Sequence, residues 1–146
     1  QDRNESDRLL RAVESARSHL EAGWDPEYGG IFSRVDVESG EPIDPEQNKN
    51  MWPHNEALYA MLLAYQITGE QWCLDWYDRV HEWTWEHLPN LEHGEWHRQV
   101  KRDGSYPWDV TGPGEKPRKE PFHLPRTLIN GVILLRKMLG CDGSSG

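Results

Sequence analysis

Four stretches of the chain carry apolar residues at helical spacing. In the first, Leu9, Leu10, Val13, Ala16 and Leu20 recur at three- and four-residue steps with charged residues between them. This predicts an amphipathic helix starting near Ser6 and Asp7 and stopping at Gly23. The second begins at Pro53 and runs through Ala57, Leu58, Ala60, Met61, Leu62, Leu63, Ala64 and Tyr65 to Gly69. It is apolar almost all round, the mark of a helix enclosed by neighbours, and proline suits a first helical position because its missing N–H costs nothing there. The third covers residues 70 to 88. Trp72, Trp76, Val80, Trp83 and His87 share one face and acidic and basic residues cover the rest, so an outer helix is expected, closed by Pro89. The fourth begins at Pro125 and carries Leu128, Ile129, Val132, Ile133, Leu134, Leu135, Met138 and Leu139, which again predicts an inner helix.

The connections alternate in length. A tight turn, Thr68-Gly69-Glu70, joins inner to outer helix, whereas long links, residues 23–52 and 89–124, lead from outer to inner. Long links in a compact domain are usually functional. The two resemble each other: Glu27-Tyr28-Gly29-Gly30-Ile31 is echoed 65 residues later by Glu92-His93-Gly94-Glu95-Trp96, and the same offset carries Val35 onto Val100. A short hairpin is expected in each, over residues 31–37 and 96–101, the second ahead of an Arg102-Asp103-Gly104 turn. A repeat of outer helix, hairpin link and inner helix predicts an all-α solenoid or closed barrel of helix pairs. Two such units cannot close a ring, so the chain either oligomerises or forms about a third to a half of a larger toroid.

Composition narrows the function. The chain has 146 residues and a net charge of -9, which argues against a nucleic-acid partner, because phosphate binding needs a basic footprint. No apolar run approaches the roughly 20 residues that span a bilayer, and no basic run suggests a membrane surface. Two cysteines, Cys73 and Cys141, are too few for a disulfide framework and fit a reducing, cytoplasmic compartment. Eight tryptophans against two phenylalanines point either to core filling between helices or to a carbohydrate-binding cleft.

If the inner helices run parallel, their N-termini meet at one mouth. Two clusters fall there: Trp52-Pro53-His54-Asn55-Glu56, and Lys119-Glu120-Pro121-Phe122-His123-Leu124-Pro125-Arg126. His123, just ahead of the expected helix start, is the best candidate general acid/base, since imidazole exchanges protons near neutral pH; otherwise it is a loop histidine bonded to a carbonyl. Glu56, about a turn into an apolar helix, must be hydrogen-bonded or face a cavity, unless it merely complements the helix dipole. His54 is expected to pack or be solvated. His93, Glu95 and His97 would share one face of a strand, but the spacing is not that of a helical zinc motif, and no metal or other cofactor is expected. Glu95 and Trp96 are expected to face the cleft or hold the hairpin. Nothing supports a covalent nucleophile or a phosphate loop.

Taken in series, Gly23-Trp24-Asp25-Pro26-Glu27-Tyr28-Gly29-Gly30-Ile31-Phe32, Trp52-Pro53-His54-Asn55-Glu56-Ala57, Glu92-His93-Gly94-Glu95-Trp96 and Phe122-His123-Leu124-Pro125-Arg126 resemble the N-acylglucosamine 2-epimerase (renin-binding protein) family over about residues 20–139. The resemblance implies part of an (α/α)6 barrel, with residues 1–139 as the C-terminal portion of a single barrel domain and 140–146 as a flexible tail. It implies a sugar substrate and interconversion of N-acetylglucosamine and N-acetylmannosamine by two histidines on opposite faces of C2. His123 resembles the second of these, Glu56 the cavity glutamate and Trp52 a pocket aromatic; Lys119, Arg126 and Glu95 are candidate substrate contacts, and a homodimer is a candidate assembly. The first family histidine, in a His-Pro-Gly-His-like helix, has no counterpart here, so the chain alone is expected to be inactive. Arg118 and Phe122 stand where cellobiose 2-epimerases carry Trp and Tyr, which favours the N-acylglucosamine branch. Two readings compete: an (α/α)-barrel glycoside hydrolase using Glu56 and Glu95, and a protein-binding module like the renin-binding branch.

Overall fold

Both apolar helices start two residues before their prolines. In the computed structural model, which describes residues 3–92, 94–106 and 121–141, the helices are α1 (Arg3–Gly23), α2 (Met51–Thr68), α3 (Gln71–His87) and α4 (His123–Met138). Pro53 and Pro125 are therefore each the third residue of a helix, not the first. The correction has a simple cause: none of the first-turn N–H groups has an intrahelical acceptor, so proline is tolerated throughout that turn. It also moves His123 from the link into the helix, as its first residue. Gly69 ends α2 in the left-handed conformation, φ 69°, with its N–H on the Tyr65 carbonyl. Gly140, φ 66°, and Cys141 do the same for α4, the Cys141 N–H reaching the Arg136 carbonyl at 2.8 Å. Those two residues of the expected tail are thus a helix cap.

α2 is the central element, packed on α1, α3 and α4. Val13 and Leu20 of α1, Leu58 and Met61 of α2 and Cys73 and Val80 of α3 make one buried cluster; Met51, Trp83, Leu88 and Val100 make a second where the links meet the helices. α4 departs from the expectation of an enclosed helix. It buries Thr127 and Leu134, but Ile129, Val132 and Ile133 are 60, 55 and 59% exposed. Among the described residues, the side of α4 that carries these three is open.

The 65-residue echo is structural. Trp24 bridges Ile31, and Pro89 bridges Trp96 at the same offset, as the first pair of strands β2 (Pro89–Asn90) and β3 (Glu95–Trp96). The turns inside correspond atom for atom. The Gly29 N–H bonds the Asp25 carbonyl and the Gly94 N–H the Asn90 carbonyl, each at 2.9 Å. The side chains of Asp25 and Asn90 each accept the N–H two residues on, and both glycines are left-handed, at φ 69° and 68°. The expected hairpins over 31–37 and 96–101 are shifted: the first link pairs Trp24 with Ile31 and Val35 with Pro42, the second pairs β2 with β3, and strand β1 (Lys49–Asn50) runs antiparallel to β4 (Gln99–Val100), so the two links also pair with each other. The Met51 N–H then bonds the Arg98 carbonyl at 2.9 Å, tying the start of α2 to the second link.

Gly30 is where the first link passes closest to α3. A Cβ there would sit 2.6 Å from the Trp83 ring at φ +75°, whereas at Gly40, φ +73°, it would meet nothing within 4 Å. Gly40→Ala should cost only the left-handed penalty of about 1–2 kcal/mol. Gly30→Ala must also displace Trp83 and should lower the melting temperature clearly more; equal melting temperatures would refute the close approach.

Candidate functional site

The N-terminal turns of α2 and α4 lie side by side. His123 Nδ1 is 2.7 Å from Glu56 Oε1, and the Arg126 guanidinium donates to the same carboxylate oxygen. Helix geometry explains the set. Trp52 and Glu56 are four residues apart on α2, and His123 and Arg126 three apart on α4, so each pair shares a face. Trp52 packs beside His123 with ring centroids 5.9 Å apart, and the Arg126 guanidinium lies over Phe122 at 5.2 Å. His123 and Glu56 keep 30% and 33% of their side-chain surface open, enough to meet a ligand. Burial alone would raise the Glu56 carboxyl, but the hydrogen bonds from Arg126 and His123 outweigh it and hold it below its ordinary value. An ionised Glu56 can only accept, so Nδ1 carries the imidazole hydrogen and Nε2 is the basic nitrogen.

A hollow of about 530 Å³ borders Trp52, walled by Ser33, Arg34, Asn50 and Gln99 among others. Its amides and hydroxyl suit a polar, hydrogen-bonding ligand beside an aromatic face. In the same turns of the two helices, the Asn55 amide and the Thr127 hydroxyl are buried with no hydrogen-bond partner among the described residues.

His54 has a different place. It is fully buried, its Nε2 accepts the Ile31 N–H at 2.9 Å, its Nδ1 donates to the Asn50 carbonyl at 2.8 Å, and its ring stacks on Trp83 with centroids 4.5 Å apart. Burial pushes its pKa down to about 3, so it stays neutral and serves as a brace. Of the expected packed or solvated states, packing is the observed one.

Sequence reading missed a second polar assembly. Asp25 and Lys49 have no exposed surface, and Lys49 Nζ donates to Asp25 Oδ2 at 2.9 Å, to the Arg102 carbonyl at 2.7 Å and to the Gly29 carbonyl. Arg102 donates from Nε to Asp25 Oδ2 at 2.9 Å and from Nη2 to Oδ1 at 3.2 Å. Burial raises the Asp25 carboxyl, yet the bonds from Arg102 and Lys49 hold it well below the usual carboxylate range. The signal available was Asp25 just after the first helix; its partners lie 24 and 77 residues away.

Thus the structure brings Trp52, Glu56, His123 and Arg126 together. Glu95 sits on β3, in the hairpin whose Trp96 packs against Trp85 of α3 with centroids 4.7 Å apart. Lys119 and His93 lie outside the described residues.

Alternating helices joined by hairpin links, with a histidine–carboxylate cluster at one end, form a segment of an (α/α)6 barrel. The fold agrees with a cellobiose 2-epimerase from Spirochaeta thermophila (TM-score 0.66, 17% identity, 90% of this chain and 37% of that one) and with a D-mannose isomerase (TM-score 0.63, 19% identity, 81% and 28%). The profile of the family described as N-acylglucosamine 2-epimerase (GlcNAc 2-epimerase) matches residues 1–122. The N-acylglucosamine 2-epimerase of Bos taurus is 36% identical over 119 residues, 81% of this chain, and that of Homo sapiens 34% identical over 120 residues, 82% of this chain. The chain belongs to the N-acylglucosamine 2-epimerase family. It spans 28% and 26% of the length of those two relatives.

Proposed function

We propose that this chain contributes one acid/base half of a sugar 2-epimerase that interconverts N-acetylglucosamine and N-acetylmannosamine. The observation that carries the reading is the 2.7 Å contact between His123 Nδ1 and an ionised Glu56, in a chain of this family. In the ring-opened sugar the C1 aldehyde acidifies the C2 hydrogen. On one face Nε2 of His123 takes or returns that proton; on the other, a second group supplied by the remainder of the polypeptide does the reverse. Loss of the proton leaves an enediolate-like intermediate, and its return on the opposite face inverts C2. Glu56 keeps His123 in the Nδ1–H form and stabilises the imidazolium formed when Nε2 is protonated. Arg126 holds Glu56 ionised, Trp52 walls the sugar, and Lys119 and Glu95 are further substrate contacts. The reading carries a cytoplasmic setting, supported by two cysteines that are both free, and a homodimer as assembly, supported by the open apolar side of α4. Among the described residues no helix is long and apolar enough to cross a membrane.

A hydrolase using Glu56 as its proton donor is disfavoured, because two hydrogen-bond donors keep that carboxylate ionised. The test is incubation of N-acetylmannosamine in heavy water with the complete polypeptide carrying this chain. Deuterium should enter C2 of both epimers as they interconvert. Epimers that interconvert with their original C2 hydrogen retained, or a sugar left unchanged, would sink the reading.

A further inference from the structure

The two links do not merely surround the start of α2; they are fastened to it by one buried ammonium. Lys49 precedes Met51, the first residue of α2, by two positions and Trp52 by three. Its Nζ holds three oxygens at once: Asp25 Oδ2 and the Gly29 carbonyl from the first link, and the Arg102 carbonyl from the second. Arg102 closes the assembly by reaching back to Asp25. Three such bonds on a side chain with no exposed surface fix Lys49 in one place, and the β1–β4 pairing beside it fixes Asn50 against Gln99. On the far side of Trp52, His54 ties the same helical turn to Ile31 and to the Asn50 carbonyl. The backbone that carries Trp52 and Glu56 is therefore clamped on both sides by buried groups that touch neither Glu56 nor His123 in any bond described above.

We propose that Lys49, with Asp25 and Arg102 as its anchors, is a positioning residue for the site: it sets the N-terminal turn of α2 so that Glu56 meets His123 across the helix pair. The kinetic part of this rests on the epimerase reading; the geometric part does not. Catalytic geometry tolerates little error, a displacement of about 1 Å being worth on the order of a hundredfold in rate.

The test uses Lys49→Met, the neutral-pair variant Asp25→Asn with Lys49→Met, and Met61→Ala as a control in the core of α2, each in the complete polypeptide. Lys49→Met should lower kcat about 10- to 100-fold with KM within about twofold of wild type. It should also remove the downfield Nδ1–H resonance of the His123–Glu56 hydrogen bond. The double variant removes both fully buried charges and leaves Arg102, one-third exposed, on Glu27 at 3.0 Å, yet it still lacks an ammonium on the Gly29 and Arg102 carbonyls. Its kcat and its histidine resonance should therefore stay low. Met61→Ala should lose at least as much melting temperature while keeping both. Wild-type kcat with an intact resonance in the neutral-pair variant would overturn the proposal, as would a matching kcat loss in Met61→Ala. If the wild-type protein moves no C2 proton, the epimerase reading falls, and the resonance alone then decides whether Lys49 positions the Glu56–His123 pair.

Discussion

Exchanging Glu56 for glutamine should slow proton exchange at C2 by about a hundredfold or more, nearly as much as removing His123 altogether. The size follows from tautomers. A carboxylate can only accept, so it selects the Nδ1–H form of His123 and leaves Nε2 basic. A glutamine of the same shape can turn its amide N–H toward Nδ1 instead. The histidine hydrogen then resides on Nε2, which can no longer take a proton from C2. Loss of the negative charge also withdraws stabilisation from the imidazolium that forms during the reaction, and releases Arg126 from its partner. General acid/base catalysis by a positioned side chain is worth about 10²- to 10⁴-fold, and His123→Ala should lose that whole factor. The measurement is deuterium incorporation at C2 in the complete polypeptide, with KM recorded separately. Full activity in Glu56→Gln would show that the carboxylate does not direct the histidine. A loss confined to KM would make Glu56 a substrate contact only.

The near-equality of the two effects tests the pair as a unit. Groups that act together are strongly non-additive, so the double variant Glu56→Gln with His123→Ala should be little worse than His123→Ala alone. Independent losses that multiply would mean the two residues act at separate points.

What could be read from the sequence was whatever depends on local spacing. Helical periodicity located all four helices, and the 65-residue echo between the links marks a turn built twice, down to the same carbonyl and the same side-chain acceptor at Asp25 and Asn90. The juxtaposition of Glu56 and His123 was also within reach, because two inner helices that begin at the same end of a repeat must present their first turns together. Hidden features all depend on partners far along the chain. Lys49 and Asp25 gave no local sign of burial, because charged residues are almost never fully buried unless paired, and the pairing spans 24 residues. Local propensity suggested a hairpin in each link, and each link has one at shifted positions; the β1–β4 pairing between the links joins residues far apart in the chain and helps bury Met51 and Val100 against Trp83 and Leu88. His54 gave no sign of its depth, since its two partners are backbone atoms. Nor could periodicity tell that one side of α4 would be open, because it reports which residues want burial and not what covers them.

The largest effect on stability should come from Asp25→Ala. The substitution leaves Lys49 buried with its charge opposed only by carbonyl oxygens, and strips Arg102 of both bonds to the carboxylate. Breaking a buried pair by deleting one partner costs about 3–5 kcal/mol, against a total stability of about 5–15 kcal/mol for a typical domain. Lys49 can blunt the loss by shedding its proton, since burial already lowers its pKa, but a neutral amine still needs its acceptors. The pH dependence separates this assembly from the buried His54. Asp25 is held below its ordinary value of 3.8. Its contribution is therefore complete above that value, and is lost as pH falls below it and the unfolded chain takes up a proton that the folded chain refuses. His54 is pushed down from 6.5 to about 3. It too favours proton uptake by the unfolded chain, but over a higher window, from about 6.5 downward. Urea unfolding across pH should thus show wild-type stability declining in two stages. Asp25→Ala should start from a much lower plateau, keep the decline below pH 6.5 that belongs to His54, and show a shallower further decline below pH 3.8, where Glu56, also held below its ordinary value, still contributes. A variant as stable as wild type at neutral pH would mean that the buried carboxylate contributes nothing to the join between the two links and α2. A variant whose decline below pH 3.8 is as steep as that of wild type would place the lower stage on the other carboxylates.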